Sequence, residues 1–145
     1  MDFEIEGLEE LERDLTEAIK KYPVTMRAEL KNIANDFKKS VKARTPDGKN
    51  HKGDAATKLR KNFHLKMQDD GVASRAIVYN DAPHAHLVED GHRLVKGGKL
   101  GNGGRVIGFV PGQHMMKKTK DEYEEIVPER FEKILDDILK ERDLN

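Results

Sequence analysis

The residues best suited to chemistry crowd into one stretch, Asn80 to Met116. It reads NDAPHAHLVEDGHR, then a glycine-rich run, then VIGFVPGQHMM. Four of the six histidines lie there, His84, His86, His92 and His114, with Glu89 and Asp90 among them. Imidazole and carboxylate oxygen are both zinc ligands, and zinc needs three or four of them within a sphere of about 2 Å radius. In a helix His86 can share a face with Glu89, whereas His84 and His86 share one only in a strand. His92 follows Gly91, and His114 can reach back across the turn after Phe109. His84, His86, Glu89, His92 and His114 can therefore be drawn as a metal-dependent hydrolase site. Their spacing nevertheless matches no HExxH-type pattern.

Acid–base hydrolysis needs carboxylates, or a carboxylate and a histidine, whose proton affinities are driven apart by burial. Glu89, Asp90 and His92 supply the residue types only. The plainer reading makes them helix-end, turn or contact residues. The chain has no nucleophile elbow, P-loop or dinucleotide fingerprint, and Gly97–Gly104 lacks the strand-then-helix setting such loops require. The expectation is a protein that is not an enzyme and carries no cofactor.

The rest of the chain must position that stretch. Its 145 residues suit one domain, 1–145, with a modest core, since 37% of them are charged and only 36% hydrophobic. Cysteine and tryptophan are absent, which excludes disulfides and thiolate chemistry and fits a reducing cytoplasm. No basic-then-apolar leader pattern and no apolar run of membrane-spanning length occurs, so a soluble protein made in the cytoplasm is expected, with no membrane partner.

Leu8, Leu11, Leu15, Ala18, Ile19 and Tyr22 recur at helical steps and predict a helix over roughly 7–21. Pro23 ends it or opens the next, whose stripe is Met26, Leu30, Ile33, Ala34, Phe37 and Val41. Pro46 stops this second helix near Arg44. The polar segment 46–57 is expected to be a mobile loop. Phe63, Leu65 and Met67 alternate with polar residues, Asp70-Gly71 signals a turn, and Ser74–Asn80 returns, giving a hairpin of roughly 61–68 with 73–80. His84–Asp90 suits two turns of helix capped by Gly91, with Leu87 and Val88 facing the sheet. Residues 94–105 read as a pliable loop and Val106–Val110 as a short apolar strand. A long C-terminal helix follows, with Pro128 expected to kink or restart it. The fold class is α+β: two N-terminal helices and a long C-terminal helix packed on a small, mostly antiparallel β-sheet.

Charge is uneven although the total is zero. Residues 1–17 sum to −7, residues 38–66 to +8 and residues 121–145 to −6. Such segments neutralise one another within the fold, meet between copies, or attract an anionic partner. The basic segment suggests an alternative, a DNA-binding module, but without interleaved aromatics beyond Phe63 or a helix-turn-helix signature.

From Leu59 onward the succession of features resembles the bacteriophage minor tail component group, the tail-completion or head–tail joining proteins of long-tailed phages and prophages. The carrying pieces are a long helix ending ARTPDG, then TKLRKNFHL, RAIVYN, APHAHLVEDGH, the glycine-rich interruption, and GFVPGQHMM before the last helix. The motif residues are Pro83, His86, Val88, Glu89, Gly91, Phe109, Pro111 and Gly112. Two departures stand out: the usual Gly-Thr pair is Gly91-His92, and Val110 separates the aromatic from Pro111.

The resemblance implies a structural virion protein of the tail or neck. It would form a ring, commonly six-fold, that completes the tail and docks to head connector proteins, with DNA passing through the lumen only passively. Expected partners are further copies of itself, tail tube or tail terminator proteins, and the connector. Lys49, Lys52, Lys58, Lys96, Lys99 and Arg105, on the two polar loops, are the expected contact residues.

Overall fold

Thr45 marks the point where the second helix meets the rest of the molecule. Its hydroxyl donates to the Val41 carbonyl (2.7 Å) and its own carbonyl accepts from Arg60 Nε (2.8 Å), so this buried polar residue is satisfied on both sides. The computed structural model describes residues 8–46, 59–69, 74–96 and 104–143. Its elements, in order, are α1 (Leu8–Lys21), α2 (Pro23–Arg44), a 3₁₀ turn (Leu59–Asn62), β1 (Phe63–Asp69), β2 (Ser74–Asn80), α3 (Ala85–Asp90), β3 (Gly91–Lys96), β4 (Arg105–Pro111) and α4 (Met115–Asp143).

The three longer helices pack together. Leu11 and Ala18 of α1, and Met26, Ile33, Ala34 and Val41 of α2, are buried as their spacing requires. Pro23 begins α2, where its missing N–H costs nothing. From α4, Tyr123 meets Phe37 edge-on at 5.2 Å and shares a hydrogen bond with Ser40 (3.1 Å). Arg44 donates to Thr119 (2.8 Å) and pairs with Glu122, joining the basic segment to the acidic C-terminal one.

β1 and β2 pair antiparallel, with Phe63 opposite Asn80 and Leu65 opposite Val78. The apolar face of this hairpin lies on α2 and closes the central core of Val41, Leu59, Phe63, Ala82 and Met115, with Val78, Ala85, Val88 and Met116 against it. Asn80 latches the hairpin to the 3₁₀ turn by donating to the Leu59 carbonyl (2.8 Å) while accepting from the Ala82 N–H (2.8 Å). At the far end, Arg27 of α2 grips Asp69 through Nη2 at 3.0 Å. That contact, with a second from Ser74, holds the Asp69 carboxyl below the usual aspartate range.

The α+β expectation holds, with corrections. The described residues form two separate two-stranded antiparallel sheets instead of one. The second contains a strand that periodicity did not reveal: β3 begins at Gly91 and takes up part of the stretch read as a pliable loop. β3 pairs with β4, and the register slips between Leu94 and Val95, leaving Ile107 unpaired as a bulge. Val88 packs against the core, but Leu87 is exposed, because consecutive residues of an α-helix point about 100° apart and do not share a face. Pro128 does not restart the last helix, which runs unbroken from Met115 to Asp143. Two residues beyond it, Arg130 is held to α2 by Glu29 (3.2 Å) and Asp36. The Asp70-Gly71 turn, most of the 46–57 loop and residues 97–103 lie outside the described residues.

Candidate functional site

The motif residues around Glu89 meet those around Gly112 in one tight joint. The first four N–H groups of a helix lack internal partners, and the dipole there favours negative charge. α4 has no acidic residue in its first turn. Glu89, distant in sequence, serves instead: its carboxylate accepts from the Met116 N–H (3.0 Å) and the Lys117 N–H (3.1 Å). Backbone completes the joint, with Gln113 N–H donating to the Val88 carbonyl (2.7 Å) and His114 N–H to the Glu89 carbonyl (3.1 Å). Glycine is required on both sides. A β-carbon at Gly112 would stand 2.3 Å from the Glu89 carbonyl oxygen. One at Gly91, which has φ +90, would stand 2.6 Å from that of Val110.

The histidines take no part in a common centre. His84 precedes α3, and its carbonyl accepts from Leu87 and Val88. His86 is exposed. His92 Nδ1 lies 3.1 Å from the Arg93 carbonyl, and His114 uses φ 50 to turn the chain into α4. Among the described residues, no group of three or more His, Asp or Glu side chains is placed to hold a metal. Pro83 lies in the turn before α3, and Pro111 closes β4 opposite Gly91. What sequence reasoning missed is the capping role of Glu89, because its partners lie far along the chain.

From this joint the β3–β4 hairpin projects as an arm. Of the body it touches chiefly α3 at its root, and every residue of β4 is exposed. Phe109 is 62% exposed, Ile107 48% and Leu94 44%, with Val106 and Val110 also open. Gly108 stands opposite Leu94 and offers no side chain to cover it. All charged residues on the two strands are basic: Arg93, Lys96 and Arg105. Of the expected contact residues, Lys96 and Arg105 occupy paired positions in the register of β3 and β4. Lys49, Lys52, Lys58 and Lys99 lie outside the described residues.

A family model described as "Bacteriophage HK97-gp10, putative tail-component" matches residues 9–91. The chain belongs to this phage tail-component family. No curated protein and no solved structure matches it. The matched stretch covers α1, α2, the β1–β2 hairpin and α3 but not α4, and it ends at Gly91, the first residue of the arm. Membership of the HK97-gp10-like family makes this a component of the virion tail. No helix among the described residues is long and apolar enough to cross a membrane.

Proposed function

We propose that this HK97-gp10-like chain completes the phage tail and joins it to the head, assembling as a ring at the head-proximal end and docking to the connector. The observation that carries the reading is the arm. Water-exposed apolar side chains grouped on one projecting element mark a surface awaiting another protein, and the family supplies the setting of a tail. The molecule then acts by contact, with no bond made or broken. The family resemblance implies six copies, tail tube or terminator proteins on one side and connector proteins on the other. Lys38, Lys39 and Lys42 border an open groove along α2 with Arg130. They would give the assembly a basic surface past which DNA can move without sequence readout.

Electron microscopy of particles made without this protein tests the reading. Tails are expected to form but to remain unattached to filled heads, and adding back the protein should restore joining. Normal infectious particles in its absence would overturn the proposal.

A further inference from the structure

The arm has an apolar surface with basic charges, and the opposite end of the same molecule carries its complement. Between α1 and the last part of α4 lies a groove floored by Ala18, Leu135, Ile138 and Leu139 and bordered by Asp14, Glu17, Lys21 and Tyr22. Leu139 is 53% exposed. Glu17 is engaged by Lys21 at 2.8 Å, while Asp14 makes no ion pair among the described residues. Asp14 and Glu17 belong to the acidic N-terminal segment, and Leu135, Ile138 and Leu139 to the acidic C-terminal one.

Distance excludes a molecule's own arm as the occupant. The arm is rooted at the start of α4, whereas the groove lies at residues 135–139. Twenty or more helical residues separate them, about 30 Å at the helical rise. Val106 to Phe109 lie within about 17 Å of the root at the strand rise. We propose that the β3–β4 arm of one copy seats in the α1–α4 groove of the next. Phe109 and Ile107 enter the apolar floor, and Arg93 and Arg105 meet Asp14 and Glu17 on its border. Two different patches at opposite ends of one molecule make a heterologous contact, which propagates and closes into a ring where the rotation permits. Placing the contact in this way rests on the assembly reading above.

The chain has no cysteine, so single introduced thiols report contacts without background. Full-length Ile107→Cys and Leu139→Cys proteins are mixed under mild oxidation, both free in solution and assembled onto tails, and native mass spectrometry is run in parallel. The expected result is a non-reduced band at twice the 16.5 kDa chain mass in the mixture, absent when either variant is oxidised alone. Oligomers without the mixed disulfide would overturn the arm-in-groove contact and leave assembly standing. Self-linking of Ile107→Cys, which indicates arm-to-arm pairing, would do the same. Absence of any oligomer both in solution and on tails would overturn the contact and the ring together.

Discussion

The two hairpins have the same architecture, two short antiparallel strands, and opposite fates. β1–β2 turns one face onto α2, buries Phe63 and contributes to the central core. β3–β4 is paired along its length apart from one bulge, yet leaves every residue of β4 exposed. An isolated two-stranded hairpin is marginal in water, so the arm depends on its root, where Glu89, Gly91 and Gly112 tie it to the start of α4. Regular secondary structure is therefore no guide to which strands belong to the folded core and which are held out for a partner.

Matched substitutions test that contrast. Phe63→Ala should cost about 3–5 kcal/mol, the usual penalty for emptying a buried aromatic site, read as a lowered denaturant midpoint. A loss near zero would place β1–β2 outside the core. Glu89→Ala should cost about 2 kcal/mol, because two charge-assisted bonds at a helix start disappear together. Hydrogen exchange should show the Met116 and Lys117 amides losing protection first. Unchanged protection there would mean the arm root does not rely on the carboxylate.

Asp69 gives a smaller, pH-dependent effect confined to β1–β2. Its carboxyl is held low by Arg27 and then by Ser74. Its contribution is therefore present above the ordinary aspartate range and is lost as pH falls through the depressed folded value. Because the pair is open to solvent, the effect should be slight and should fade with salt. Stability of an Arg27→Met variant should change less on acidification than that of the native chain, and an unaltered acid profile would contradict the assignment. The smallest expected effect is Phe109→Ala, within about 0.5 kcal/mol in the isolated chain, as read by denaturation. The same variant should fail to join tails to heads. A core-sized stability loss at Phe109 would erase the distinction between the hairpins.

Much of the frame was legible in the residues. Three- and four-residue spacing located α1 and α2, Pro23 and Pro46 punctuated them, and alternation at Phe63, Leu65 and Met67 found β1. β3 escaped because Gly-His-Arg-Leu has no clean alternation and its partner lies beyond the glycine run, so only long-range pairing defines it. Glu89 escaped for a related reason. Beside Gly91 it looked like a solvated helix-end acid, and its partners are two amides that sequence distance hides. The histidines drew notice through their side-chain chemistry, whereas the backbone of His114 is what turns the chain into α4.

The fit between Gly91 and Gly112 leaves no room for even a methyl group. Such a joint behaves as a fixed bracket, not a swivel: the arm's bearing relative to α4 is set within each copy before any neighbour arrives. In an assembly built through that arm, curvature would be an inherited angle repeated at each step. Any residue larger than glycine at position 112 would force the backbone of the joint apart and change that angle.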